Sequence, residues 1–305
     1  MKNTIESVII ENSSLCGANC VMCLRDNANY YYGIMPLDLY KKSINDILSC
    51  GINDFAFCAF GDPLMDNFLE ERLRFIKESS PNAKIGLTTT GHLLNEKNAD
   101  LLCKYVDFVK ISNYGFSKKT YESVHRGSLK YEKVKQNIDI FLSIPNRPKT
   151  TLTFLVLPEN EKDIDEWKKY YEPKCDEIDI WKPHNWGGNK NLLLKTDDQI
   201  PPSNLSPCRR AMELNNMIIR ADGRVSICCF DISNSLIIGD IKMQNLNSII
   251  NGEMAKKIQK IHSEQLVLES DLPCKNCDQI RDRKDALIFT NNPSMKVGKY
   301  SLFKN

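Results

Sequence analysis

The chain has 305 residues, 42% of them hydrophobic, and this size predicts two unequal domains. Acidic and basic residues nearly balance to a formal net charge of +2, so charge gives no reason to expect nucleic acid or an anionic membrane as a partner. No apolar run approaches the roughly 20 residues of a membrane span, and the N-terminus lacks a secretory pattern. We therefore expect a cytoplasmic protein with no nucleic-acid or membrane partner.

Short apolar runs alternate with longer amphipathic stretches from Ile5 to about Trp186, which is the pattern of parallel strands joined by crossover helices. The predicted strands are Ser7–Ile10, Asp54–Phe57, Ala83–Thr88, Phe108–Ile111, Thr151–Leu157 and Glu177–Trp181. The predicted helices are Pro36–Ser49, Asn67–Ser79, Asn95–Tyr105, Lys118–Val124, Tyr131–Ile144 and Glu161–Tyr171. Six such units predict an α/β fold, a partial (β/α)6 TIM-like barrel, in which functional loops follow the strands.

The loop after the first predicted strand carries Cys16, Cys20 and Cys23 in the spacing C-x3-C-x2-C. Thiolates are soft ligands that suit iron-sulfur clusters, which normally take four of them. Three thiolates leave one iron open for a second molecule. A structural zinc site needs a fourth Cys or His, and none follows until Cys50. A disulfide framework is not expected in a chain of this size without a signal peptide, whereas zinc and chance spacing stay open.

Further polar and glycine-containing loops follow the next three strands. They are Gly61-Asp62-Pro63-Leu64, Thr88-Thr89-Thr90-Gly91 and Ser112-Asn113. In a parallel barrel these loops converge on the face that carries the cysteines. Each loop taken alone is also typical of an ordinary turn.

Taken in order, the cysteine motif and these loops resemble the motif series of radical S-adenosylmethionine (SAM) enzymes with a C-terminal SPASM or twitch domain. In that family the open iron binds SAM, and an electron from the cluster cleaves SAM to a 5'-deoxyadenosyl radical. The resemblance implies SAM-binding roles for Met22, for Gly61, Asp62 and Pro63 of a GEP-like motif, for Thr90 of a T-N-G-x-L-L-like stretch, for Ser112, and for Arg126 before Gly127. Met22 stands where an aromatic residue is usual, Asp62 where Glu is usual, and Thr90 where Asn is usual.

A second set of cysteines follows a predicted linker at Pro201-Pro202-Ser203-Asn204. Asp222-Gly223 lies between two β-rich runs and predicts a tight hairpin that returns Cys228 to the segment of Cys208. The pair Cys274-x2-Cys277 completes four thiolates, which spacing alone would also allow for zinc.

The family resemblance implies that this set is a twitch domain with one auxiliary 4Fe-4S cluster, held by Cys208, Cys228, Cys274 and Cys277. Counting alone does not decide between Cys228 and Cys229, but the family pattern D-G-x-V-x-x-C favours Cys228. We expect a radical SAM barrel over residues 1–200, the auxiliary-cluster domain over 201–290 and a tail over 291–305. The implied cofactors are two 4Fe-4S clusters and SAM, with an external electron donor such as flavodoxin or ferredoxin.

The substrate site is predicted at the end of the last barrel strand, where Trp181, His184, Asn185 and Trp186 offer flat apolar faces and directional polar groups for a hydroxylated molecule. The alternative is that the two tryptophans only cover the barrel end.

Cys58 is the thiol best placed to return a hydrogen atom to a substrate, unless it is an ordinary core cysteine. Cys16 follows the first strand at once, so we expect no leader-binding domain and a small, carbohydrate-like substrate. The expected reaction oxidises a secondary alcohol to a ketone. Epimerisation of a sugar or peptide with a cysteine hydrogen donor, and a zinc-binding interaction scaffold, are the alternatives.

Overall fold

The computed structural model describes residues 5–25, 30–188, 206–214, 217–280 and 286–295. The strands are β1 (Ser7–Ile10), β2 (Asp54–Phe57), β3 (Lys84–Thr89), β4 (Phe108–Ser112), β5 (Lys149–Leu155), β6 (Glu177–Trp181), β7 (Ile218–Ile219), β8 (Arg224–Ser226), β9 (Ile237–Asp240) and β10 (Leu287–Thr290). The helices are α1 (Leu37–Ser49), α2 (Leu69–Ser79), α3 (Glu96–Tyr105), α4 (Lys118–Val124), α5 (Tyr131–Ser143), α6 (Ile164–Tyr171), α7 (Arg209–Glu213), α8 (Leu246–Ile250) and α9 (Glu253–Ser263). The predicted α/β fold and all twelve predicted barrel elements are confirmed.

Several boundaries differ from the prediction by one to three residues, and two of these differences have a clear local cause. The strand β5 ends at Leu155, although Val156 and Leu157 are apolar, because Asn160 forms a turn there. The Asn160 side chain accepts a hydrogen bond from the Leu157 N–H (2.7 Å) and donates one to the Leu155 carbonyl (2.9 Å). The helix α6 begins three residues later than predicted, because Glu161–Asp163 form a separate 3-10 turn.

The chain divides into two compact units. The first unit comprises Met1–Leu15, Leu24–Ile85 and Asn185–Asp282, and the second comprises Cys16–Cys23, Gly86–His184 and Arg283–Asn305. The predicted linker at 201–204 lies outside the described residues, as does the predicted tail from 296 onwards. No helix in the described ranges is long and apolar enough to cross a membrane.

The first unit contains the strand order β2-β1-β7-β8-β9. The strand β1 runs parallel to β2 and β7, while β8 pairs antiparallel with both β7 and β9. The predicted hairpin at Asp222-Gly223 is confirmed, since it joins β7 to β8 and Gly223 takes a φ of +92° that favours glycine. The carboxyl ends of the parallel strands β1, β2 and β7 therefore lie at one edge of the sheet.

The second unit contains the strand order β10-β6-β5-β4-β3, with β3 included from Gly86 onwards. The strands β3, β4, β5 and β6 are parallel, so the loops that follow them lie at one edge. The strand β10, which the sequence did not predict, pairs antiparallel with β6 and places Leu287 opposite Trp181. The core of this unit includes Trp167 of α6, which is fully buried and donates a hydrogen bond to Asn113 (2.8 Å).

Candidate functional site

The three N-terminal cysteines lie on one short loop of the second unit. Cys16, Cys20 and Cys23 are all half-buried and free of disulfide bonds. The Cys23 N–H donates to the Cys20 carbonyl (3.0 Å), and the Ala18 N–H donates to the Cys16 sulfur (3.4 Å). Met22 is buried on the same loop. The loop therefore offers three soft sulfur ligands and no fourth, which fits a cluster with one open iron.

The cysteine loop is held by the segment at the end of α4. The Val21 N–H donates to the carbonyl of Val124 (2.9 Å), and the Asn19 N–H donates to the Ser128 hydroxyl (2.8 Å). Arg126, one of the predicted SAM-binding residues, has a φ of +47° and donates from Nη1 to the Asn19 side chain (3.3 Å). The structure thus brings Arg126 to the cysteine loop, as a shared site requires.

Thr90, another predicted SAM-binding residue, follows β3 at the same edge of the second unit. Its hydroxyl shares a hydrogen bond with Nδ1 of His92 (2.8 Å), and the His92 ring packs against Gly17 of the cysteine loop. The buried amide of Asn137 donates to the carbonyls of Gly91 (3.1 Å) and His92 (3.0 Å), which fixes this turn.

Ser112 ends β4 and forms a side-chain hydrogen bond with Tyr114. Burial, reinforced by negative charge at Cys20 and Cys23, raises the pKa of Tyr114 to about 12 against the opposing hydrogen bond of Ser112. The ring of His125 stacks on Tyr114 with centroids 6.2 Å apart. Tyr114 is a candidate site residue that sequence analysis missed, although its position just after a barrel strand was the available signal.

Burial lowers the pKa of His125 to about 4, although a hydrogen bond from its Nδ1 to the carbonyl of Tyr121 (2.7 Å) acts in the opposite direction. The imidazole of His125 is therefore neutral at physiological pH.

The Gly61-Asp62-Pro63-Leu64 loop lies in the first unit, after β2. A Cβ at Gly61 would stand 2.0 Å from the Ser13 carbonyl oxygen, so only glycine fits there. The buried carboxylate of Asp62 accepts a hydrogen bond from the Leu64 N–H (3.1 Å) and caps the short helical turn that begins at Pro63. The side chain of Asp62 therefore stabilises the turn, and Asp, although shorter than the usual Glu, is long enough to do so.

Two other predicted residues of the first unit lie near this loop in sequence or in space. Cys58 is half-buried directly after β2. The ring of Trp186 packs 5.7 Å from the ring of Phe60, next to the apolar side chains of Tyr30 and Ile232. Trp186 therefore covers part of a buried cluster. Of the remaining predicted substrate residues, Trp181 and His184 are half-buried in the second unit.

Asn185 lies in the first unit and bonds to the segment of the last two cysteines. Its side chain donates to the Asn276 carbonyl (2.7 Å) and accepts from the Asp278 N–H (3.1 Å). Its own N–H donates to the Asp278 carboxylate (2.9 Å). These three bonds clamp both sides of Cys277.

Four cysteines of the first unit line one cavity. They are the predicted set Cys208, Cys228, Cys274 and Cys277, and Cys229 is not among the lining residues. Most other side chains around the cavity are apolar: Ala211, Ile227, Phe230, Leu236, Pro273 and Ile280. Four convergent thiols with an apolar shell fit an iron-sulfur cluster by donor type and number.

Burial disfavours the thiolate forms of these cysteines. Burial, reinforced by negative charge at Cys208, raises the pKa of Cys274 and of Cys277 to about 12. Burial also holds the pKa of Cys228 well above its ordinary value. Metal ligation reverses this preference, because a coordinated thiol loses its proton outright. Within the described ranges, no three His, Cys, Asp or Glu side chains are close enough to hold a single metal ion.

Two family models match the chain, one in each of the regions that carry the cysteines. Residues 12–170 match the model of the Radical SAM superfamily, and residues 208–278 match that of the SPASM iron-sulfur cluster-binding domain. A GTP 3',8-cyclase of Chlorobaculum tepidum is 24% identical over 209 residues, which is 65% of this chain. The match covers 63% of the cyclase, less than two thirds of its length.

Solved structures share the fold at low sequence identity. BtrN, in complex with AdoMet and 2-DOIA, is 20% identical with a TM-score of 0.61, over 91% of this chain and 94% of BtrN. anSMEcpe with bound AdoMet and the Cp18Cys peptide is 18% identical with a TM-score of 0.63, over 92% and 91% of the two chains. SuiB of Streptococcus suis, bound to the precursor peptide SuiA, is 12% identical with a TM-score of 0.64, over 84% and 67%. Since the superfamily model spans more than half of its length, the chain belongs to the radical SAM enzymes, with a SPASM region at its C-terminal end.

Proposed function

We propose that this enzyme oxidises a secondary alcohol of a small, carbohydrate-like molecule to a ketone. The observation that carries the proposal is the cavity lined by Cys208, Cys228, Cys274 and Cys277. Oxidation of an alcohol removes two electrons, so a reaction that starts with hydrogen-atom abstraction needs an acceptor for the second one. A cluster with four protein thiolates suits that role, since its irons keep no open site for substrate.

Cys16, Cys20 and Cys23 would hold a cluster that would supply the electron for cleavage of SAM, and this chemistry would remove a hydrogen atom from the alcohol carbon. The substrate must then lose one proton and one electron to become a ketone. The four cysteines of the first unit would hold the acceptor of that electron. An external donor such as flavodoxin or ferredoxin would supply the electron that starts each turnover.

We infer that SAM is held by the residues that the family resemblance assigns. In the second unit, Met22 lies on the cysteine loop and Arg126 bonds to that loop. Thr90 bonds to the imidazole of His92, which packs on the same loop. Ser112 bonds to Tyr114, which lies near Cys20 and Cys23. In the first unit, the turn at 61–63 uses the Asp62 side chain internally, so its backbone is the part available to a ligand.

A hydroxylated substrate is favoured by the side chains around the end of β6. Trp181 and His184 offer an aromatic face and a polar ring, and BtrN, whose fold this chain shares, was solved with 2-DOIA. Trp186 would present the face of its ring that Phe60 does not cover. Asn185 would act on the substrate only through the segment it clamps.

Epimerisation is the second candidate, because it needs a thiol and Cys58 is half-buried directly after β2. A peptide could be its substrate, since anSMEcpe and SuiB were solved with peptides. The two reactions differ in what happens at the substrate carbon. A dehydrogenase leaves a ketone there, and an epimerase returns a hydrogen atom that exchanges with solvent through the thiol.

Mass spectrometry in deuterated water separates the two candidates. Reconstituted, reduced protein is incubated with SAM and, in separate samples, with 2-DOIA, cyclitols and amino sugars. We expect a product two mass units lighter, and equal turnover in Cys58→Ala and in the control Cys50→Ala, which changes a half-buried thiol at the end of α1. Deuterium at an inverted carbon, with turnover lost only in Cys58→Ala, would overturn the proposed oxidation.

A further inference from the structure

A buried polar network lies in the first unit at the edge where β1 and β7 end. It consists of Glu11, Tyr30, Arg220 and Asp231, each 8% exposed or less, and we call it the Glu11–Asp231 network. The Tyr30 hydroxyl lies 2.5 and 2.6 Å from the two carboxylate oxygens of Glu11. The Ala221 N–H also donates to this carboxylate (3.2 Å). Polar groups buried away from water are costly unless they are hydrogen-bonded or paired with an opposite charge.

Arg220 is the centre of the network. Its guanidinium lies 5.1 Å from the ring centroid of Tyr30 and 5.6 Å from that of Phe60. Nη2 donates to the carbonyl of Asp231 and lies 3.5 Å from its carboxylate. Nε and Nη1 have no hydrogen-bond partner in the part of the chain that the structure describes. Arg220 is therefore a buried cation that lies next to a carboxylate and has two nitrogens without a hydrogen-bond partner among the described residues.

Asp231 connects this cation to the four-cysteine cavity, which it helps to line. Its carboxylate accepts hydrogen bonds from the Ser226 hydroxyl (3.1 Å) and the Leu236 N–H (2.9 Å). The Ser226 hydroxyl in turn accepts from the Cys228 N–H (3.3 Å). Arg220 is therefore connected to the Cys228 loop through Asp231 and Ser226.

We propose that Arg220 is a positioning residue of the auxiliary cluster, and that the Glu11–Asp231 network couples the reduction of this cluster to the protonation of Glu11. The proposal rests on the auxiliary cluster of the proposed function. Reduction adds a negative charge, which a buried cation favours and a buried carboxylate opposes. A change in the charge of Glu11 alone would therefore make the reduction potential of the auxiliary cluster depend on pH, with the same four cysteine ligands.

The charge of Glu11 changes in the range where the enzyme works. Burial raises the pKa of Glu11 to about 7, although the hydrogen bonds of Tyr30 and Ala221 and the charge of Arg220 act in the opposite direction. Asp222 is the other charged group that acts on Tyr30. Glu11 is neutral below that pKa and negative above it. The reduction potential of the cluster should therefore fall as pH rises through 7.

The test is an EPR-monitored redox titration at pH 6 and pH 8. Full-length protein with Cys16, Cys20 and Cys23 replaced by Ala isolates the auxiliary signal. With Glu11 intact, we expect the equilibrium constant for reduction to fall about tenfold between the two pH values, which is about 59 mV for one electron. In Glu11→Gln, the reduction potential at pH 8 should equal the potential that the parent has at pH 6. The control is Glu6→Gln, which changes an exposed carboxylate of the same segment and should behave as the parent.

Arg220 is tested in the same background. Arg220→Met should lower the reduction potential at both pH values, because it removes the buried cation. Arg220→Lys keeps a positive charge, so its reduction potential should stay close to that of the parent. If Arg220→Met fails to fold, the Glu11→Gln comparison decides alone. This inference alone is overturned if the reduction potential of the auxiliary cluster does not change with pH. It is also overturned if the pH dependence of that potential persists in Glu11→Gln. Protein that forms no second cluster overturns the proposed function and this inference with it.

Discussion

The imidazole of His92 fills the space that a side chain at Gly17 would need, with Nε2 2.5 Å from the point where a Cβ would stand. Gly17 lies between the first two cysteines of the N-terminal motif. The ring cannot easily move away, because Nδ1 bonds to Thr90 and the amide of Asn137 holds the His92 carbonyl. The loop that follows β3 therefore packs directly on the loop that offers three thiols.

Gly17→Ala should displace the cysteine loop and cost the protein its N-terminal cluster. Iron analysis should fall from about eight to about four per chain, because the auxiliary cluster is untouched. The double variant Gly17→Ala/His92→Ala restores the space and should recover most of the iron, with His92→Ala as the control. If the double variant stays as poor in iron as Gly17→Ala, the contact is not the cause.

The cavity distinguishes two adjacent cysteines that spacing could not separate. Cys228 lines it and Cys229 does not. Cys228→Ala should lose the auxiliary cluster, about four irons per chain, whereas Cys229→Ala should retain about eight. Iron and sulfide analysis of fully reconstituted protein measures this directly. The reverse pattern would mean that Cys229 is the ligand.

The clamp at Asn185 should determine how firmly the last two cysteines hold their cluster. Asn185→Ala removes two side-chain hydrogen bonds, each worth roughly 1 kcal/mol, so iron should pass to a chelator roughly 30-fold faster. Asn251→Ala is the matched control, because that amide bonds only within the exposed end of α8. Equal rates in the two variants would show that the clamp has no effect on the cluster.

Local pattern predicted most of the fold. Strands such as β1 and β2 are short apolar runs between amphipathic helices, and the Asp222-Gly223 turn needs the positive φ that glycine allows. The strand β10 was missed because its four residues pair with β6, which is far away in the sequence. Only the tertiary pairing identifies such a strand.

The candidate site was predictable where ligand spacing determines it. Cys208, Cys228, Cys274 and Cys277 were assigned from the family pattern, and the structure places all four around one cavity. The burial of Glu11 could not be predicted, because its partners come from three distant segments and leave no spacing signal. The clamp of Asn185 escaped prediction for the same reason.

Formation of 5'-deoxyadenosine from SAM tests the central claim most directly. Anaerobically reconstituted wild-type protein, reduced with dithionite, should cleave SAM, because Cys16, Cys20 and Cys23 leave one iron open to bind it. The variant with all three cysteines replaced by Ala should keep its auxiliary cluster and form no 5'-deoxyadenosine above background. If that variant cleaves SAM as the wild type does, the assignment of the open cluster to this loop is wrong.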